Sequence, residues 1–132
     1  MKILIDEHLP PALARALNAL FDGDHDIVHL RERFGSGVKD VQWIGELSRE
    51  GRWIVISADR RITRNKAEYT AFQNSRLTGF FMAPGIYKSP LVRQMIRLLH
   101  LWDSIVDLAA RVEGGAMFEL PVKSTRIRQL RF

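Results

Sequence analysis

The residues best suited to chemistry in this chain are aspartates that follow short apolar runs. Asp6 comes directly after the run at 3–5, and Asp59 comes directly after the run at 53–58. Clustered carboxylates repel one another unless a cation neutralises them or a pKa rises. Because the chain has no cysteine, its oxygen ligands favour Mg²⁺ or Mn²⁺ over zinc. Such an ion suits phosphodiester hydrolysis, since it activates water and stabilises charge on the leaving oxygen.

The two apolar runs must be strands of one sheet for these acids to meet. Short continuous apolar runs are typical of buried parallel strands. In open α/β sheets, ligands bind outside the carboxyl ends of strands, where the strand order reverses. Asp40 opens a helical pattern between the two runs, so we expect it at the same edge as Asp6 and Asp59. Glu7 and Glu46 are further candidates, but neighbours at a strand end point to opposite sides, which weakens Glu7.

Each of the three aspartates also has an ordinary structural explanation. Asp40 could be only the N-cap of its helix, which is a common role for aspartate at a helix start. Asp59 could cap a helix that follows Arg60. Asp6 could be a turn former before the two prolines at 10–11.

The order of the elements predicts an α/β fold with a mostly parallel sheet flanked by helices. Strands are expected at 2–5, 25–30, 53–58, 78–83 and 116–122. Helices are expected after Pro11, from Asp40, across the charged segment 60–77, and from Ser89-Pro90, with Ser89 as N-cap. Residues 31–39 are polar and contain two glycines, so they are predicted to form a loop. This alternation implies right-handed crossovers.

Length and composition indicate one globular domain. The chain has 132 residues, of which 46% are hydrophobic. It carries 20 Lys and Arg against 15 acids, for a net charge of +5, which favours a polyanion such as nucleic acid as partner. The absence of cysteine fits a cytoplasmic location. We expect neither a signal peptide nor a membrane-spanning segment, and therefore no membrane partner.

The C-terminal residues 123–132 are interpreted as a basic tail on a domain spanning residues 1–122. Apolar residues alternate with cations in this tail, which contains no acid: Lys123, Arg126, Ile127, Arg128, Leu130, Arg131 and Phe132. The tail could bind RNA, pair with a second subunit in a homodimer, or be covered by a partner protein. It could also be a frayed basic terminus.

Two sequence motifs resemble those of the short PIN-like domains. Residues 3–10 look like the family's opening pattern of apolar residues followed by Asp-Glu-His-Leu-Pro. The segment 39–47 resembles its second motif, in which an acid leads a helix. The segment 51–59 resembles its third, in which a strand of the type Val-Ile-Ser-x-Asp ends at an acid. The resemblance covers residues 1–60 well and the rest loosely.

This resemblance implies a compact three-layer PIN-like fold and metal-dependent ribonuclease activity. Asp6, Asp40 and Asp59 match the family's first three acids. Many relatives are VapC-like toxins of toxin–antitoxin pairs, which implies an RNA substrate, a cognate antitoxin, and Mg²⁺ or Mn²⁺ as cofactor. A further acid usually follows the third; here Asn65 or Glu68 could replace it, and one metal ion is favoured over two.

Basic residues follow Asp59 at once and could contact RNA phosphates. They are Arg60, Arg61, Arg64 and Lys66. Backbone contacts of this kind position a nucleic acid without reading its sequence. They could equally form a solvated helix face. His8, beside the first acids, could bind substrate or assist proton transfer, or could be an ordinary polar loop residue.

Two other functions are compatible with the pattern. The incomplete acid set after Asp59 allows a non-catalytic nucleic-acid-binding PIN-like module. A receiver-like phosphoacceptor domain also carries acids after its first and third strands. That fold needs a lysine after its last strand near the acids, and Lys88 and Lys123 fit this position poorly.

Overall fold

The structure is a computed structural model that describes residues 1–131. The part of the tail prediction that concerns Phe132 therefore lies outside the described residues. The strands are β1 (Lys2–Ile5), β2 (Asp26–His29), β3 (Trp53–Ser57), β4 (Thr78–Met82), β5 (Met117–Leu120) and β6 (Arg128–Leu130). The helices are α1 (Pro11–Leu20), α2 (Leu30–Phe34), α3 (Asp40–Glu50), α4 (Arg61–Arg64), α5 (Lys66–Gln73), α6 (Pro84–Tyr87) and α7 (Leu91–Arg111).

The strands form one mixed sheet in the order β2-β1-β3-β4-β5-β6. The first five are parallel and β6 is antiparallel to β5. The chain moves outward from β1 to β2 and then returns to place β3 on the other side of β1. The strand order therefore reverses between β1 and β3, the two strands that precede Asp6 and Asp59.

Helices cover both faces of the sheet, so the central strands are apolar along their whole length. Ile3 and Ile5 pack in one core cluster with apolar residues of α1 and α7. Leu4, which points to the opposite face, packs in a second cluster with residues of α2, α3, α4 and α5. All five residues of β3 and all five of β4 are buried. The predicted three-layer α/β architecture is confirmed.

The predicted loop at 31–39 is wrong in its first part, because α2 occupies Leu30–Phe34. The ring of His29 accepts a hydrogen bond from the backbone N–H of Arg31, which caps this short helix, and Leu30 is buried beneath it. Ser89 is not an N-cap either. Pro90 occupies that position, and the Ser89 hydroxyl donates instead to the carbonyl of Ile86.

Two further elements differ from the sequence prediction. The helical segment 60–77 is broken at Asn65, whose side chain accepts a hydrogen bond from the N–H of Glu68 and so begins a new helix. Within the tail, Arg128–Leu130 forms β6 at the sheet edge. Across residues 1–131, no helix combines the length and apolar character needed to cross a membrane.

Candidate active site

Asp6 lies at the end of β1, where β1 and β3 are neighbours. Its backbone N–H donates to the carbonyl of Ile56 at 2.9 Å, so the strand pairing continues up to the acid. Its carboxylate is 2% exposed and accepts two hydrogen bonds. The hydroxyl of Ser57 donates to Oδ2 at 2.6 Å, and the N–H of Glu7 donates to Oδ1 at 2.8 Å. Asp6 is therefore a buried, rigidly held carboxylate.

The surroundings of Asp6 raise its pKa above the ordinary value. Burial is the largest cause, and the two hydrogen bonds oppose it only in part. The nearby charge of Asp40 raises the pKa further. A buried acid without a cationic partner is costly to ionise, which makes this position favourable for a bound cation.

Ser57, the last residue of β3, joins the first and third acids. While its hydroxyl donates to Asp6, the same oxygen accepts the backbone N–H of Asp59 at 2.9 Å. One side chain thus fixes the relative positions of two strand ends. The sequence patterns predict no role for Ser57. The signal was present, since a hydroxyl residue stands two positions before the acid that ends the strand.

Asp59 is held by Arg61. The Arg61 Nε–H lies 3.0 Å from Oδ1 and 2.9 Å from Oδ2 of Asp59, and Nη2 lies 2.8 Å from Oδ2. The Asp59 side chain is 8% exposed, whereas that of Arg61 is 67% exposed. Burial would raise the pKa of Asp59, but the hydrogen bonds and charge of Arg61 outweigh it and lower the pKa.

His8 completes this group with two contacts that one nitrogen cannot make at the same time. Its Nε2 lies 3.1 Å from Oδ2 of Asp59 and 3.0 Å from Nη2 of Arg61. Arginine only donates, so Nε2 must accept there with its lone pair. Towards Asp59, Nε2 must instead carry a proton and donate. The protonation of His8 therefore decides which of the two residues it binds.

Asp40 is the first residue of α3, but its side chain does not cap that helix. Lys39 occupies the N-cap position without a side-chain cap. Oδ1 of Asp40 instead accepts a 2.8 Å hydrogen bond from the indole N–H of Trp43, which is fully buried. The explanation of Asp40 as a simple N-cap is therefore wrong, and Trp43 is a core residue that orients the acid.

Glu68 stands beside Asp40. Burial raises the pKa of Glu68, and the charge of Asp40 and a hydrogen bond with it add to this effect. Among the described residues, the buried Oε2 of Glu68 has no hydrogen-bond donor. Two carboxyl groups in this relationship share a proton or a cation. Glu68, a sequence candidate for the missing fourth acid, is thus brought to Asp40.

Asp40 and Glu68 line an open cleft of about 630 Å³. Its lining contains six of the residues singled out from the sequence: Glu7, Asp40, Arg61, Arg64, Asn65 and Glu68. Asp6, Asp59 and His8 are not part of this lining, but Arg61 contacts Asp59 and His8, and the charge of Asp40 acts on Asp6. The side chain of Asn65 is used as a helix cap.

The remaining sequence candidates lie outside the cleft lining. Arg60 forms an ion pair with Glu119 of β5, which also pairs with Arg128 of β6. Lys66 is exposed at the start of α5, and Glu46 is half-buried on α3. The structure therefore places Arg61 and Arg64, but not Arg60, at the cleft.

The donor types at this site fit a hard divalent cation, although the side chains are not assembled around one. The charge of Asp40 raises the pKa of both Asp6 and Glu68, as expected of acids that lie close together. Within residues 1–131, however, no three acidic or histidine side chains stand close enough together to hold a metal ion. Use of Asp59 as a ligand would require Arg61 to release it.

Comparison with known proteins gives one match. A family model described as "PIN like domain" matches residues 1–84. The matched segment contains β1 to β4, and with them all the acids of the site. No curated protein and no solved structure matches the chain.

Proposed function

The chain belongs to the PIN-like domain family, and we propose that it is a Mg²⁺- or Mn²⁺-dependent endoribonuclease. PIN domains are generally metal-dependent nucleases. The observation that carries the proposal is the buried carboxylate of Asp6, which lies where the strand order reverses and forms no ion pair within residues 1–131. A role as the toxin of a toxin–antitoxin pair is part of the proposal and is supported by the resemblance of the motifs at 3–10 and 51–59.

Asp6, Asp40 and Asp59 would hold the metal, and Glu68 would serve as the fourth acid. When bound, such an ion activates water and neutralises charge on the leaving oxygen of a phosphodiester. Ser57 fixes Asp6 relative to Asp59, and Trp43 orients Asp40.

The basic residues of the cleft supply the contacts to RNA. Arg64 is exposed in the lining and forms no ion pair within residues 1–131. Lys39, the N-cap residue of α3, lines the same cleft. Arg61 is available for a phosphate once it leaves Asp59. Arginine and lysine at a cleft mouth attract the backbone of a nucleic acid and position it without reading its sequence.

The test is cleavage of single-stranded RNA by the Asp59→Asn variant in the presence of Mn²⁺. We expect activity to fall by about a hundredfold or more, while circular dichroism shows an unchanged fold. The matched control is Asp22→Asn, since Asp22 is an exposed acid on the turn after α1. Full activity of Asp59→Asn, or wild-type activity that persists in a chelator, would contradict the proposal.

A non-catalytic nucleic-acid-binding module is the second candidate. The observation that favours it is the ion pair of Arg61 with Asp59, because the arginine already supplies a cation to this acid. Calorimetric titration with Mn²⁺ separates the two functions. RNA binding together with no heat of metal binding at millimolar Mn²⁺ would favour the module over the nuclease.

A further inference from the structure

Exposed apolar side chains are concentrated in the elements that follow β4, none of which lines the acidic cleft. Six of the nine large hydrophobic residues that are exposed within residues 1–131 belong to α6, α7 and the segment after β5. They are Tyr87, Leu91, Val92, Ile96, Leu99 and Val122. Isolated exposed apolar residues are normal, but a cluster of this kind is typical of an interaction site.

Three of these six residues, Val92, Ile96 and Val122, line one groove, and α7 forms one of its sides. Val92, Ile96 and Leu99 are spaced as neighbours along one face of α7, opposite the face that packs on the sheet. Gly85, Ile86 and Val122 form the other side of an open cavity of about 560 Å³. We refer to this cavity, lined by Gly85, Ile86, Ser89, Pro90, Val92, Arg93, Ile96, Arg97 and Val122, as the α7 groove.

Gly85 is required for the shape of the α7 groove. A Cβ atom at this position would lie 2.8 Å from a methyl carbon of Val122, which is too close for an ordinary contact. Glycine thus lets α6 approach the segment after β5 and keeps the wall of the groove continuous.

The two charged residues that line the α7 groove, Arg93 and Arg97, are both basic. Residues 84–102 contain Lys88, Arg93 and Arg97 and no acid, and Lys123 follows Val122. Arg97 donates to the carbonyl oxygens of Pro121 and Ser124, which are uncharged, so its positive charge stays uncompensated. Within residues 1–131, neither Lys88 nor Arg93 forms an ion pair.

We propose that the α7 groove binds an amphipathic helix of a partner protein, with an apolar stripe flanked by Asp and Glu residues. Val92 and Ile96, spaced i and i+4 on α7, line the groove together with Ile86 and Val122 and so present apolar surface to a helix whose own apolar residues have that spacing. Arg93 and Arg97 select acidic flanks and accelerate association. A second copy of this chain fits less well, because a two-fold interface would set the same arginines against each other.

The α7 groove and the acidic cleft share no lining residue. The partner can therefore bind whether or not the cleft is catalytic, and the proposal stands apart from the nuclease function. The experiment needs neither metal nor RNA.

The test uses the full chain and three synthetic helical peptides of equal length. The first has leucines at helical spacing flanked by glutamates, the second has the same leucines flanked by lysines, and the third keeps the glutamates but replaces leucine by serine. Fluorescence anisotropy should detect binding of the first peptide only. Ile96→Glu should weaken that binding by about tenfold or more.

Leu20→Glu is the matched control, since Leu20 is 60% exposed on α1 and Ile96 is 59% exposed on α7. It should leave peptide binding unchanged. Val92→Glu replaces Ile96→Glu if thermal unfolding shows that the latter is destabilised. Equal binding of the lysine peptide, or unchanged binding by both groove variants, would overturn the proposal. So would sedimentation showing a wild-type dimer that Ile96→Glu dissociates, because a second copy would then occupy the groove.

Discussion

The hydroxyl of Ser57 donates a 2.6 Å hydrogen bond to Oδ2 of Asp6 and, through the same oxygen, accepts the N–H of Asp59. This bond connects the ends of β1 and β3 at the point where the strand order reverses. This hydrogen bond also lowers the pKa of Asp6 and so opposes part of the increase that burial causes. The site therefore depends on a neutral side chain as well as on its acids.

Replacing Ser57 by Ala should raise the pKa of Asp6 further and destabilise the fold. The variant leaves a buried carboxylate with one hydrogen bond fewer, and the loss should be about 2 kcal/mol. Chemical denaturation at neutral pH measures the free energy of unfolding. Ser89→Ala is the control, because Ser89 donates only to a carbonyl oxygen that its own turn supplies. Equal stabilities of the two variants would contradict the role of Ser57.

The Asp6→Asn variant should be inactive in RNA cleavage but more stable than the wild type at neutral pH. Since the folded state binds the Asp6 proton more tightly than the unfolded chain does, ionisation of Asp6 costs stability as pH rises through its folded pKa. Asparagine remains neutral at every pH. Its advantage should therefore disappear below about pH 3.9, where Asp6 is protonated in both states.

Thermal unfolding across this pH range checks the Asp6→Asn prediction. Asp22→Asn gives the reference, because it removes an exposed charge at a distance from the cleft. A variant that is less stable than the wild type at neutral pH would show that a cation already compensates Asp6.

Replacing Arg61 by Ala should increase the affinity for Mn²⁺. The variant removes a positive charge from Asp59 and frees that carboxylate as a ligand, which should tighten metal binding by about tenfold. Because the Arg61 side chain is 67% exposed, its ion pair is worth little, and stability should change by less than about 1 kcal/mol.

Calorimetric titration of the Arg61→Ala chain with Mn²⁺ measures this effect. Arg64→Ala is the matched control, since it removes an equal charge from the same cleft lining without freeing a carboxylate. An equal gain in both variants would mean that general electrostatics, not release of Asp59, governs metal binding.

Replacing Glu119 by Ala should destabilise the protein without weakening RNA binding. Glu119 forms ion pairs with Arg60 after β3 and with Arg128 of β6. Its side chain is 19% exposed, so loss of both pairs should cost about 2 kcal/mol. Denaturation and RNA filter binding measure the two effects. Glu113→Ala, at an exposed acid, is the control. A gain in RNA affinity would return Arg60 to the set of RNA contacts, because the variant frees its guanidinium.

The elements that could be predicted from the sequence are those whose local pattern of apolar residues is enough to define them. The strands at β1 and β3 are continuous apolar runs, and their pairing follows from the general behaviour of parallel sheets. The helix α2 was missed because its five residues depend on a cap from His29 and on burial of Leu30. Strand β6 was missed because it has no apolar run and forms only by pairing with β5.

The candidate site also combines features that follow from local sequence patterns with features that depend on tertiary contacts. Placement of Asp6 and Asp59 at neighbouring strand ends followed from strand patterns. The contact of Glu68 with Asp40 depends on the break between α4 and α5 at Asn65, which fixes the orientation of α5. The ion pair of Arg61 with Asp59 depends on the backbone turn after β3. Neither contact produces a repeating pattern of apolar residues, so neither could be predicted from the sequence.

Strand β6 also protects the sheet from self-association. Without it, β5 would present a free row of backbone N–H and C=O groups, the usual template for pairing with another chain. The added strand is only three residues long, and Arg131, which follows it, forms no ion pair within residues 1–131. A short edge strand beside an unpaired charge is a poor template for a second copy. We therefore expect β6 to disfavour edge-to-edge pairing of two copies of the chain.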